Sequence, residues 1–335
     1  MVQLAQIARY FPFASGRYEV KAGFSPLHKD FGNGRVDALI LQIDRGFHAY
    51  RDEKLAARAE RLSKYYLTHE LPDTHLHYVC DYLARLMAKE HAEHFSLTGE
   101  PQGQCLFCRL SGDRLWFDND FRLVRVDYGQ PVDPPYIDGL DAIACQLQED
   151  LALVNLQNET NCISALHLCF PNHWAAQDKI GKDFISAHAP VPGMAALNRS
   201  AQNLLQTMLA KGPFVRFAWG IGTDRRLNHH PEAPTGHDPE SWRGRSLDDE
   251  KAAVFIRSER QTLTGLADIN CCLFTIHTYF EDVRQLAGDT GLMSALIAAL
   301  QSMPRDSAHY KGLAPCYDGL LAKLSAWRDA ADSGS

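Results

Sequence analysis

The chain has 335 residues, of which 45% are apolar and 22% charged, enough to bury a sizeable core in one large domain or two ordinary ones. Its formal net charge of −7 excludes a global basic field that would hold nucleic acid or anionic lipid. No apolar run approaches the roughly 18 residues of a membrane span, and Met1–Phe13 lacks the cationic and apolar regions of a secretory signal. Nine cysteines, an odd number placed mostly in predicted strands and helices, read as small apolar residues of a reduced compartment, the cytoplasm.

In chain order, Pro12, Gly16, Pro26, Gly32 and Gly34 punctuate short apolar pieces, so the first ~50 residues predict an irregular wrapping segment. Arg51–Tyr66 is rich in helix formers and predicts a helix. Thr74–Phe95 predicts another, because Leu76, Val79, Leu83, Leu86 and Met87 recur at helical spacing. Its N-cap is Asp73 or Thr74, and its last turn carries His91 and His94. Gly99–Gly112 reads as a loop holding Cys105 and Cys108, and Leu115–Asp127 as one or two short strands. Tyr128–Pro135, rich in Pro and Gly, separates a mainly helical N-terminal region, residues 1–135, from a core spanning 136–330.

In that core, Asp138–Asp150 predicts a helix, and Leu151–Leu156 with Ile163–Phe170 predicts a hairpin. Trp174–Ala187 predicts a helix that ends before Pro190-Val191-Pro192, and Ser200–Leu209 predicts a second. Phe214–Ile221 is a strand. Asn228–Arg245 is a polar surface loop. Ala253–Leu263 and Cys271–Phe280 are strands by their β-branched and aromatic content, joined by Thr264–Asn270. Leu292–Leu300 and Leu320–Trp327 are helices, and Asp329–Ser335 is a frayed tail. About five strands adjacent in sequence, with helices between and after them, predict an α+β fold with an antiparallel sheet. No glycine-rich phosphate or dinucleotide loop follows any strand.

Four groups carry candidate chemistry. Cys105 and Cys108 form a lone CxxC, which without further ligands reads as structural. His91 and His94, and the loop residues His229, His230 and His237, could take an adventitious metal but read first as solvated. His188 stands at a helix end whose exit is fixed by Pro190 and Pro192, between the small residues Ala187 and Ala189. A packed or capping histidine is the commoner reading of such a residue, and an axial haem ligand is the other. On the strand Ile256–Leu263, alternation puts Arg257, Glu259 and Gln261 on one face and Ser258, Arg260 and Thr262 on the other. Two polar faces on one strand point to a buried network or a ligand-facing surface.

FPNHW at Phe170–Trp174, KIGKDF at Lys179–Phe184, HAPVPG at His188–Gly193, RSERQTL at Arg257–Leu263 and LFTIHTY at Leu273–Tyr279 resemble the central motifs of the haem-dependent oxidative N-demethylase alpha-subunit family. Gln148-Glu149-Asp150-Leu151 and Tyr310-Lys311 fit the same pattern. The resemblance runs from about Pro12 to about Tyr310. It implies a PAS-like antiparallel sheet of about five strands, with flanking helices, holding haem b. It implies NADPH-dependent oxidation of dimethylamine, or a similar small secondary amine, with dioxygen. It places flavin mononucleotide, an iron-sulfur cluster and tetrahydrofolate on partner subunits, including the reductase.

By the same resemblance His188 is the proximal iron ligand, and Arg257, Arg216 and Trp219 contact the cofactor. Glu259, Arg260, Tyr279 and His277 are the catalytic candidates. The family usually shows an arginine at the position of His277 and an asparagine at that of Ala218; if either position touches the substrate or bound oxygen, the substrate need not be dimethylamine. A haem-binding sensor of the PAS type without turnover, and a haem-free scaffold of the same fold, are the alternatives.

Overall fold

The computed structural model describes residues 3–21, 23–157, 160–194, 201–243 and 253–332. It is an α+β protein built on two antiparallel sheets. The larger sheet has seven strands: β1 (Ser25–Pro26), β2 (Tyr66–Thr68), β7 (Asp150–Gln157), β8 (Thr160–His167), β9 (Phe214–Gly222), β10 (Phe255–Leu266) and β11 (Cys271–Asp282), in the order β1-β9-β10-β11-β7-β8-β2. The smaller sheet runs β3 (Phe95–Glu100), β4 (Gly103–Cys108), β5 (Arg114–Phe117) and β6 (Leu123–Asp127), as a meander. The segment predicted as a loop around Cys105 and Cys108 is therefore strand β4, and both cysteines are buried in it.

The two long N-terminal helices follow from different sequence patterns. Helix α2 (Asp73–Glu90) buries Val79, Cys80, Leu83, Ala84, Leu86 and Met87 on one stripe, as its periodicity requires. Helix α1 (Phe47–Tyr65) instead turns cations inward. Arg51 bonds Asp113 at 2.8 Å, Lys54 donates to the carbonyl of Ala144 at 2.9 Å, and Arg58 forks onto Asp141 through Nε at 2.8 Å and Nη2 at 2.7 Å. Burial of these charges is tolerated because each is paired or hydrogen-bonded. The predicted end of α2 also shifts: the helix stops at Glu90, and His91 and His94 are buried beyond it, with His91 Nε2 3.1 Å from the carbonyl oxygen of Leu41.

Three further predictions change. The helix expected over 138–150 is only α3 (Gly139–Ala144), capped by the Asp138 side chain, and the chain enters β7 at Asp150. The helix expected over 174–187 is a single 3-10 turn, Ala176–Asp178, followed by α4 (Phe184–His188). Gly181 separates them with φ +72°, a left-handed conformation that ends the first turn. His229 and His230, expected in solvent, are buried. The remaining helices are α5 (Ala201–Lys211), α6 (Pro239–Arg243), α7 (Thr290–Gln301), α8 (Arg305–Tyr310) and α9 (Tyr317–Asp332). Residue 200 of the predicted second core helix, residues 244–245 of the predicted loop and residues 333–335 of the tail lie outside the described residues.

The large sheet has a core on each side. One face packs against α2, α3, the small sheet and the segment 37–44. The other is covered by α4 and α5, with Phe184, Ala187, Leu205 and Met208 set against Leu263 and Cys272. The C-terminal helices close one end around Trp219, Ile221 and Ile256. No described helix is long and apolar enough to cross a membrane.

Candidate functional site

Cross-strand partners share a face, so register sorts the polar residues of the central strands. On the α4–α5 face, Arg257 lies between Gly220 and Phe280, Glu259 between Ala218 and Thr278, and Gln261 between Arg216 and Ile276. On the opposite face, Ser258 lies between Trp219 and Tyr279, and Arg260 between Phe217 and His277. The second set is almost fully covered, with Ser258, Arg260, Thr275 and His277 all at 2% exposure or less. The first set is not: Arg216, Ala218, Glu259, Gln261, Phe274 and Ile276 stay half-buried in mid-sheet among the described residues. This row, at the centre of the sheet, is less sealed than the opposite face.

His188 closes α4 beside this surface. Its Nδ1 is 2.7 Å from the carbonyl oxygen of Phe184, one turn back, so Nδ1 carries the proton and donates it. The ring also rests on Phe184, with centroids 4.4 Å apart. Nε2 is left as a lone-pair donor. Burial lowers the imidazole pKa to about 4 against the opposing Phe184 carbonyl, and the nearby Lys179 and Arg216 charges lower it further. His188 is therefore neutral at pH 7, the state in which imidazole binds iron or zinc. Lys179 ties the preceding turn to α4 by donating to the carbonyl of Ala187 at 2.5 Å, with its ammonium 4.9 Å from the Trp174 ring centre.

Arg216 reaches the same space from β9. Burial lowers its pKa, Glu259 opposes that, and its Nε is buried without a hydrogen-bond partner. Glu259 accepts from Gln261 Nε2 at 3.1 Å, and its Oε1 lies 3.8 Å from Arg257 Nε. Tyr310 is near enough that Glu259 adds to the rise burial causes in its hydroxyl pKa.

Arg257 is anchored at its tip. Nη1 donates to the Leu227 carbonyl at 2.9 Å and contacts His229 Nδ1 at 3.2 Å, while Nη2 donates to the Phe170 carbonyl at 2.6 Å and to Thr278 Oγ1 at 3.4 Å. Its Nε is buried and unpartnered. Around it Asn172, His173, Gly220, Phe280 and Lys311 line a narrow cleft. Thus FPNHW, RSERQTL and Tyr310-Lys311, far apart in sequence, meet at one place. His173 holds φ +62° there, stacked on His229 at 5.0 Å, in a conformation non-glycine residues adopt at a cost.

The structure gathers His188, Arg216, Glu259 and Arg257 on one face. It does not bring Arg260, His277, Tyr279 or Trp219 to it. Arg260 donates to the carbonyls of Leu39 at 2.6 Å, Asp37 at 3.2 Å and Ile40 at 3.4 Å. His277 Nδ1 bonds Glu149 Oε1 at 3.1 Å, the Tyr279 hydroxyl bonds Gln42 Oε1, and Trp219 packs on Phe13. The sheet itself stands between these four side chains and His188. Sequence reasoning missed Lys179, Gly220 and the cleft role of His173; Lys179 and His173 were signalled only by membership in KIGKDF and FPNHW, and Gly220 by no motif.

Among the described residues one buried set has metal-ligand types: Asp141, Cys145 and His167, with ligand atoms within 4.8 Å of one another. Both Asp141 oxygens are taken by Arg58 and one also by His167 at 3.1 Å. Burial raises the Cys145 thiol pKa to about 12, so it stays protonated. This is an ion-paired core network rather than a metal centre.

The molecule is thus an α+β protein with a neutral, pre-oriented histidine facing a half-open polar patch on an antiparallel sheet. A family model described as haem-dependent oxidative N-demethylase, alpha subunit-like matches residues 35–321, and the chain belongs to that family. The family's description names a haem-dependent enzyme and one subunit of a multi-subunit assembly. No curated protein matches the chain.

Proposed function

We propose that this chain is the haem-carrying subunit of an oxidative N-demethylase acting on a small secondary amine, of which dimethylamine is the simplest. The reading rests on family membership and, above all, on His188: neutral, with Nδ1–H held by the Phe184 carbonyl and Nε2 left to donate. The surroundings fit haem b. Phe214, Phe274 and Ile276 are half-buried apolar side chains on the facing sheet, and Arg216 offers a propionate a cation whose buried Nε has no hydrogen-bond partner among the described residues. His188 is the proposed axial ligand.

When bound, haem supplies an iron that activates dioxygen. The net reaction takes a secondary N-methylamine, dioxygen, two electrons and two protons to a primary amine, formaldehyde and water. Electrons come from a partner reductase carrying flavin and an iron-sulfur cluster. The chain's own residues position the substrate. Glu259 accepts an N–H of the ammonium and can take up the proton that must leave before oxidation. Gln261 steadies that carboxylate, and Arg257 supplies a fixed positive charge on the substrate side. The sheet that separates Arg260, His277, Tyr279 and Trp219 from this face favours a supporting role for them.

The PAS-like reading is supported by the five central strands, which run second, first, fifth, fourth, third in chain order, with α4 and α5 between the second and third. The wrapping role of residues 1–135 is supported by β1 and β2, N-terminal strands added to the two edges of that sheet. The test is amine-dependent oxygen uptake and formaldehyde release by the haem-loaded chain with a flavin and iron-sulfur reductase. Haem binding without either would make the protein a haem-binding sensor or carrier.

A further inference from the structure

The cleft at Arg257, the residue next to Glu259 on the same strand face, carries more charge recognition than a simple amine can use. Arg257 has five N–H groups, and its Nη atoms are engaged with Leu227, His229, Phe170 and Thr278. Nε–H is buried and has no hydrogen-bond partner, in a cleft-lining side chain only 3% exposed. A buried donor left without a hydrogen bond is costly even beside an opposite charge, and a ligand acceptor would remove that cost. Glu259 Oε1, the proposed ammonium partner, is 3.8 Å from this Nε.

The β9 side of this pair carries no large side chain. Gly220, directly across the strand pair from Arg257, is buried, yet a Cβ built on it would meet no atom within 4 Å. Ala218, directly across from Glu259, has the shortest side chain that still carries a Cβ. The two small residues make a trough along the Arg257–Glu259 pair. Lys311 adds positive charge at its Arg257 end.

We infer that the substrate class of this site is an N-methylated amino acid, a zwitterion whose ammonium faces Glu259 and whose carboxylate faces Arg257 Nε from the trough over Ala218 and Gly220. This rests on the demethylase reading of the same face. Because the two protein groups are only 3.8 Å apart, the ligand's charges must be comparably close. The carboxylate is therefore one or two carbons from the nitrogen, as in N-methylglycine. Demethylation of such a substrate yields the free amino acid and formaldehyde, with the balance given above.

Calorimetry on the purified full chain, with and without haem, tests this using N-methylglycine, N-methylglycinamide and dimethylamine. The inference expects N-methylglycine to bind at least tenfold tighter than the other two. Gly220→Val, which fills the trough without touching Arg257's anchors, is expected to abolish that preference. Equal or weaker binding of N-methylglycine by wild type overturns the inference, as does a preference that survives Gly220→Val. If dimethylamine alone perturbs the haem spectrum, the zwitterion inference fails and the demethylase reading stands. If no haem is taken up, that reading fails, and calorimetry on the cofactor-free chain still decides the zwitterion site.

Discussion

His188 shows how one hydrogen bond and a burial environment set a residue's chemistry. Its folded pKa of about 4 lies below the ordinary 6.5, so between those values the unfolded chain binds more protons than the folded one. Stability must then rise with pH from about 4 to about 6.5 on this account and level off above it. Urea titrations of cofactor-free protein across that window should show the contribution vanish in His188→Leu; an unchanged slope would mean the ring is not buried and neutral. Asp141 behaves in the opposite sense. Burial alone would raise its pKa, but hydrogen bonds from His167 and Arg58 hold it at about 2. Its contribution is complete above the ordinary carboxylate pKa and is lost as pH falls toward 2. Both partners of the Arg58–Asp141 pair are fully buried, so Arg58→Leu leaves an uncompensated carboxylate and is expected to cost about 3–5 kcal/mol in urea unfolding.

At the scale of elements, close approach explains choices that composition cannot. Helix α5 crosses β10 so tightly that a Cβ on Gly265 would lie 2.4 Å from the Leu209 carbonyl oxygen. Gly265→Ala is expected to destabilise the protein by about 1–3 kcal/mol. Gly220→Ala, in the same sheet but facing open space, should change stability by less than about 1 kcal/mol; similar losses in both would remove the distinction. The strands were legible because β-branched and aromatic runs such as CCLFTIHTYF can bury on both faces. Alternation correctly split Arg257, Glu259 and Gln261 from Ser258, Arg260 and Thr262, but it could not say which face was sealed. That depends on α1 and the segment 37–44, whose carbonyls meet Arg260. The helix predicted over 174–187 failed at Gly181, and the loop predicted around Cys105 failed because pairing with β3 and β5 outweighs the weak local signal of GQCLFC.

For the whole molecule, the motifs became a site only through topology. FPNHW, HAPVPG, RSERQTL and Tyr310-Lys311 lie on different elements, and only the order β9-β10-β11-β7-β8 brings them to one side of the sheet. The same topology sends half of the polar strand residues into a sealed core, a distinction that motif resemblance does not make. His188 is proposed to hold haem on the Arg216–Glu259 face. The most direct measurement is the absorption spectrum of purified protein reconstituted with haem, compared between wild type and His188→Ala. A Soret band that is lost or markedly shifted in the variant, with imidazole restoring it, is the predicted result; identical spectra for the two proteins would contradict the claim.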